Sequence, residues 1–409
     1  MSHSFQPRSP SIAGGVAEIQ GLYGPFSFPE KLLQKIWLRG DFNRAAAVLA
    51  DGRQVTVVRP GKWNLLGGPD FLGARLRFSG GPEVTGDVEL HLHAADWVGH
   101  AHARDPAYDR VILHVVLFPP PSNHATIGAD GRGIPVLTLL PLLHHDLEEF
   151  AAEEAVEVIA GRAAQRMPDE LLRLEPARLA SILNEHAWAR WRQKIHFARL
   201  RIQRLGWDAA CHHAALEILG YRFNRAPMLR IAGQWSLPNW ERAQIDPDVA
   251  FASEQGTWEL QGVRPANHPR HRLRQYAAWA QSDGHWPANL AALSVRLPDL
   301  SRVTPAREAR RIGKFPALRD EFAAVAGRVI GGTRLDNLAG DGFLPLLAAH
   351  TGDEQAVRAV WLHWFPGDLP PRVLSGLKDL GICDGPRNPR TLGLAQGLLG
   401  WWIAHEAKS

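Results

Sequence analysis

Apolar positions recur with two different periods in the first third of the chain. Leu32, Leu33, Ile36 and Trp37, after Pro29-Glu30 and before Gly40, have the spacing of a short amphipathic helix starting near Phe28. The period then falls to two. Residues 54–58, 74–78, 87–93 and 111–118 read as strands, divided by turn signals such as Gly67-Gly68-Pro69 and Ser79-Gly80-Gly81-Pro82. Between the last two strands, residues 104–109 have room for a turn or two of helix. Past Pro119-Pro120-Pro121 and a glycine-rich turn at 128–133, residues 136–140 predict one more strand. The predicted order is helix, three-strand meander, helical connector, strand.

The flanks differ in character. Residues 1–20 are polar and small with no period, which predicts a mobile tail without chemistry. Beyond His144 the period is helical over 147–164, 177–205, 209–219, 272–280, 307–326, 354–364 and 392–405. With 409 residues and 45% hydrophobic composition, two or more packed domains are expected. The expected fold class is α+β: an α/β core over 21–145, then a mainly helical region over 146–409 that could divide into two subdomains, with the boundary between 140 and 165.

Strand side chains alternate, so Asp87, Glu89, His91 and His93 share one face of the third strand, while Val88, Leu90 and Leu92 share the other. Neighbours on a face stand about 6.7 Å apart, close enough to share an ion or a water. Four ionisable groups on a buried face would each need a partner to offset desolvation. The alternative is an edge strand with its polar face in water. Asp70 tilts the balance: it opens the preceding strand nineteen positions before Glu89, and a hairpin between them brings the two acids together. Paired carboxylates suit a hard divalent cation such as Mg²⁺. Such an ion activates water and stabilises charge on a phosphodiester.

The same stretch holds a competing donor set. His91, His93, His100, His102 and His114, with Asp96 and Asp105, offer imidazoles suited to zinc, manganese or iron. Imidazoles two apart on one strand meet at one ion only if the backbone bends, so the histidine-only site ranks below the carboxylate-led one. A mixed site, with Asp70, Glu89 and His91 around one ion, is compatible with both. On the loop leaving the third strand, Trp97 could stack on a base while His100 and His102 line the rim and touch phosphate. The alternative is a packed turn with Trp97 in the core and Asp96 as a cap.

Net charge is +4, and only seven of the 46 basic residues are lysine. The arginine fork suits phosphate, although a GC-rich coding bias gives the same composition. Arg190, Lys194 and Arg201, with Arg192 and Arg199 nearby, are expected on the outer side of a long helix. Arg264, Arg270 and Arg272 surround the start of a helix at His268-Pro269, with Asn267 as its cap, where backbone N–H groups attract anions. These four residues are expected nucleic-acid contacts; Arg264 could instead pair with a carboxylate at a domain interface. Cys211 and Cys383 lie far apart in no CxxC context, and suggest neither a disulfide framework nor a cysteine-type zinc site. No stretch approaches the roughly 20 apolar residues of a membrane-spanning helix. The residues at the start carry no apolar signal core, and the expected address is the cytoplasm.

Pro69-Asp70 and Glu89-Leu90-His91, set in that order of elements, resemble the core of the PD-(D/E)XK nuclease superfamily. The resemblance implies a restriction-endonuclease-like core in which Asp70 and Glu89 bind metal, with Glu30 as a third acid. His91 stands where the superfamily usually has a lysine, which favours Mn²⁺ over Mg²⁺ and removes a permanent positive charge. A longer resemblance covers more of the chain. Gly67-Gly68-Pro69-Asp70-Phe71, Gly86-Asp87-Val88-Glu89-Leu90-His91, Asp96-Trp97, His100-Ala101-His102, Tyr108-Asp109 and Val111-Ile112-Leu113-His114-Val115-Val116 look like the bacterial domain-of-unknown-function family 2851. Arg264-Pro265-Ala266-Asn267, with Pro269, Arg272 and Leu273, looks like that family's second signature.

The expected function is metal-dependent hydrolysis of nucleic-acid phosphodiester bonds, with Mg²⁺ or Mn²⁺ rather than Zn²⁺. Asp70 and Glu89 hold the ion, His91 ligates it or deprotonates water, and Glu30 and His114 assist. Two alternatives stand beside it: a non-catalytic nucleic-acid-binding scaffold on a nuclease-like core, and a small-molecule metallohydrolase using the histidines.

Overall fold

A computed structural model gives the fold; it describes residues 15–21, 24–122, 124–163, 167–221, 223–300, 305–383, 385 and 389–406. The chain divides into two compact units, Met1–Ala152 and Glu153–Ser409, and its class is mixed α+β.

The first unit begins with a correction. The predicted tail lies outside the described residues up to position 14, but β1 (Val16–Gly21) pairs antiparallel with β2 (Gly24–Pro29). Its burial alternates, with Ala17 and Ile19 turned inward. Only two small or medium apolar residues make that alternation, too few to signal a strand. Helix α1 (Glu30–Arg39) follows as the periodicity predicts, burying Leu32, Leu33, Ile36 and Trp37. It stops at Gly40, whose left-handed φ of 61° caps the last carbonyls.

The main sheet contains β3 (Val55–Arg59), β4 (Lys62–Trp63), β5 (Phe71–Phe78), β6 (Glu83–His91), β7 (Val111–Val116) and β10 (Val136–Thr138), in the order β10-β7-β6-β5-β3 with β4 also on β5. A small separate hairpin is formed by β8 (Thr126–Ile127) and β9 (Gly133–Ile134). β3, β5 and β6 pair antiparallel, whereas β6 with β7 and β7 with β10 are parallel. β6 is therefore interior, not an edge strand in water. Val88, Leu90 and Leu92 on one face pack with Leu33, Ile36 and Trp37 of α1, Phe71, Leu113 and Val115. Burial of each such side chain contributes about 1.5–3 kcal/mol. Asp87, Glu89 and His91 on the opposite face are buried as well.

A parallel neighbour needs a crossover, and residues 92–110 supply it. They form a short helix, α2 (Asp96–Gly99), then 3-10 turns at His102–Arg104 and Pro106–Tyr108. Ala101 between them has φ 58°.

The second unit is helical. After α3 (Leu147–Gly161), which runs across the division at 152, come α4 (Asp169–Leu172), α5 (Pro176–Leu205), α6 (Trp207–Leu219) and further helices to Glu406. α5 buries Leu179, Leu183, Ala187, Trp191, Ile195 and Ala198, a stripe with one member per turn. Its basic residues are not an open stripe. Arg190 donates to Gln396, Lys194 pairs with Asp341 at 2.8 Å, Arg199 with Glu354 at 2.8 Å and Arg201 with Glu217 at 2.7 Å. No helix among the described residues is long and apolar enough to cross a membrane. Both cysteines are free thiols.

Candidate metal centre

Strand register brings the acids together. Antiparallel pairing sets Phe71 opposite Val88, so Asp70, one step before β5, lies beside Glu89. The Asp70 N–H donates to Glu89 Oε2 at 3.0 Å, and Asp70 Oδ2 accepts from the Leu90 N–H at 3.0 Å. Gln34 of α1 donates to Asp70 Oδ1 at 2.6 Å and is itself held by Trp63 Nε1 at 3.1 Å. Glu30, the first residue of α1, feels the same charges. Burial, then repulsion from Asp70, Glu89 and Asp96, pushes its carboxyl up to about 8. Burial raises Glu89 to about 8, and burial with repulsion from Glu89 raises Asp70 to about 7. Among the described residues, no lysine or arginine acts on these three carboxyls to offset the repulsion.

The histidines converge on the same spot. His91 ends β6, and the left-handed backbone of Ala101 turns His100 and His102 back toward it. His91 Nε2 lies 3.1 Å from His100 Nδ1 and 3.2 Å from His102 Nε2. Glu89 Oε1 completes the group, 3.3 Å from His102 Nε2 and 3.5 Å from His91 Nε2. Tyr108 stacks on the His102 ring at 3.9 Å. Glu89, His91 and His102 are buried, while His100 is exposed and marks the open side. Burial, then the neighbouring imidazoles, lowers His91 to about 2. It is therefore neutral at pH 7, with a ring lone pair to offer.

The fit to a metal can be tested on these distances. Donors about 2.0–2.2 Å from one tetrahedral ion stand roughly 3.3–3.5 Å apart. The separations of His91 Nε2 from His100 Nδ1 and His102 Nε2, 3.1 and 3.2 Å, lie just below that edge length. His91, His100 and His102 are also the one group among the described residues whose donor atoms all lie within 4.8 Å of one another. The residues fit a transition ion.

His114, paired in register with Glu89 on β7, takes no place among these donors. Its Nε2 meets His91 Nδ1 at 2.9 Å and its Nδ1 meets Thr126 Oγ1 at 2.9 Å. Asp87 is engaged elsewhere, accepting from the Gly73 N–H at 2.9 Å. His93 stacks on Phe118, and its N–H donates to Asp96 at 3.0 Å. Thr126 and Gln34 were not visible in the sequence. Each is a lone polar residue whose partner comes from another element.

The expected nucleic-acid contacts need correction. Trp97 is buried and donates to the Ile127 carbonyl at 3.0 Å, so it presents no face to a base. His102 is buried with Nε2 toward His91, and His100 meets His91 at the open side. In the second unit, His268, not Asn267, caps the helix Pro269–Ser282. Asn267 Oδ1 accepts from Arg272 at 2.7 Å, and Arg272 is buried. Arg270 is clamped with Arg274 on Asp248. Of the four, only Arg264 keeps an exposed side chain with no ion pair among the described residues.

No curated protein and no solved structure matches this chain. A family model described as a protein of unknown function (DUF2851) matches residues 30–253, a span that starts at Glu30 and takes in every donor of the centre. The match covers more than half of the sequence, and the chain belongs to the DUF2851 family.

Proposed function

We propose that this chain is a metal-dependent hydrolase of phosphodiesters, its ion held by His91, His100 and His102 with Glu89 beside them. The observation that carries the reading is the convergence of three imidazole donors within 4.8 Å of one another, with Glu89 Oε1 beside two of them. Three imidazoles favour Zn²⁺, Fe²⁺ or Mn²⁺ over Mg²⁺, a shift from the expected order. A divalent ion there supplies a Lewis acid that makes water nucleophilic near neutral pH. The chain's own groups do the rest. The Asp70 N–H holds one Glu89 oxygen, and the other faces His91 and His102. Glu30, its carboxyl pushed up by burial and by Asp70, Glu89 and Asp96, is the group assigned to protonate a leaving oxygen. His91, with Nε2 given to the ion, orients and does not act as the base.

A restriction-endonuclease-like core is the second reading, favoured by Asp70 beside Glu89 with His91 two positions on. It puts Mg²⁺ or Mn²⁺ between Asp70 and Glu89, with nucleic acid as the partner. Both Asp70 oxygens and Glu89 Oε2 already accept protein hydrogen bonds, which favours the first reading. The two separate by experiment: titrate the full chain with Zn²⁺, Mn²⁺ and Mg²⁺, and follow cleavage of bis(p-nitrophenyl) phosphate and supercoiled plasmid. Under the first reading His100→Ala lowers Zn²⁺ affinity by two orders of magnitude or more, since it removes a whole ligand, and abolishes cleavage. Under the second it leaves Mg²⁺-dependent nicking intact. A chain that takes up none of the three ions sinks both.

A further inference from the structure

We infer that Thr126 and His114 are positioning residues that fix the tautomer of His91, so that its Nε2 lone pair faces the metal donors. The inference rests on the metal reading above and extends it to residues that touch no ion. A line of three contacts leads away from the centre: His91 Nδ1 to His114 Nε2 at 2.9 Å, His114 Nδ1 to Thr126 Oγ1 at 2.9 Å, and Thr126 Oγ1 to His124 Nε2 at 3.3 Å. His91, His114 and Thr126 are buried, and His124 is half-buried.

Counting hydrogens along the line leaves two arrangements. In one, His91 carries its hydrogen on Nδ1 and donates to His114 Nε2. His114 then donates from Nδ1 to Thr126 Oγ1, and the hydroxyl hydrogen goes to His124. Every contact has one donor and one acceptor, and His91 Nε2 is free to ligate. In the other, all three reverse and His91 Nε2 carries a hydrogen aimed at His100 and His102, where it blocks an ion. The threonine hydroxyl accepts from His114 only in the first arrangement. A valine there leaves a buried His114 Nδ1–H without an acceptor, which tips the line toward the second. Outer partners of this kind typically change metal affinity by about 10- to 100-fold.

The test uses the full chain, with Co²⁺ as a visible-absorbing probe titrated against a competing chelator. Thr126→Val should weaken Co²⁺ binding by about 10- to 100-fold, while Thr126→Ser, which restores the hydroxyl, should stay within about threefold of wild type. Equal affinity for Thr126→Val and wild type overturns the inference, as does a serine variant as weak as the valine one. Nitrogen-15 imidazole spectra of the Zn²⁺-bound wild type are a second readout independent of folding in the variants. A His114 hydrogen on Nδ1 supports the inference, and one on Nε2 overturns it. Failure of the wild type to bind Co²⁺ or Zn²⁺ removes the metal reading itself and this inference with it. Insensitivity of an ion-binding protein to Thr126→Val removes only the positioning.

Discussion

Glu89 divides its two oxygens between unlike tasks: Oε2 is held by a backbone N–H and Oε1 faces two imidazoles. That division depends on where β6 lies against β7, and Gly86 sets the approach. A Cβ at position 86 would stand 2.8 Å from the Arg110 carbonyl and collide with the Ile112 side chain. Backbone cannot yield as a flexible side chain does, so Gly86→Ala should cost about 1–3 kcal/mol, read as a lower denaturant midpoint. It should also weaken metal binding, because Glu89 lies three residues on; unchanged stability would contradict the close approach. At this scale the sequence was readable where one element decides the outcome. Alternation put Glu89 and His91 on one face, and hairpin spacing put Asp70 next to Glu89. The partnership of His100 and His102 with His91 was not readable, because it hangs on one backbone angle at Ala101.

Elements explain the rest of that difference. α1, β3, β5, β6 and β7 carry strong periods and were legible. The β1–β2 hairpin and the β8–β9 hairpin are short and give little alternation, so pattern alone could not find them. The crossover at residues 92–110 is the element that makes the centre. Its left-handed Ala101 is a conformation that costs a non-glycine residue roughly 1–2 kcal/mol, strain of a kind that clusters at functional sites. A β-branched side chain tolerates it far less well. Ala101→Val should therefore swing His100 and His102 apart and reduce Zn²⁺ affinity at least tenfold with little change in far-UV circular dichroism, whereas Ala101→Gly should bind nearly as wild type. Equal affinity of the valine variant would show that the turn does not aim the imidazoles.

One part of the molecule's pH response originates in its helical unit. His212 is buried, with Nδ1 at 2.5 Å from the Tyr276 hydroxyl and Nε2 at 2.9 Å from the Trp235 carbonyl. Burial lowers its pKa to about 4, against about 6.5 in an unfolded chain. Between those values the unfolded chain binds a proton that the folded one does not, so stability is full above pH 6.5 and is lost as pH falls toward 4. The loss is on the order of 3 kcal/mol. His212→Gln, which hydrogen-bonds without titrating, should remove that part of the slope when urea midpoints are compared at pH 7, 5 and 4; parallel slopes would refute it. At this scale, composition overstated the free basic surface, since many arginines are committed to carboxylates of their own unit. Connectivity of the centre carries a last consequence. Glu89 and His91 end β6, and His100 and His102 lie on the crossover that follows, so closing their loops demands little chain entropy once β6 and β7 have paired. The site should form late and locally in folding, and amides of the crossover should exchange with solvent before those of the sheet unless an ion holds them.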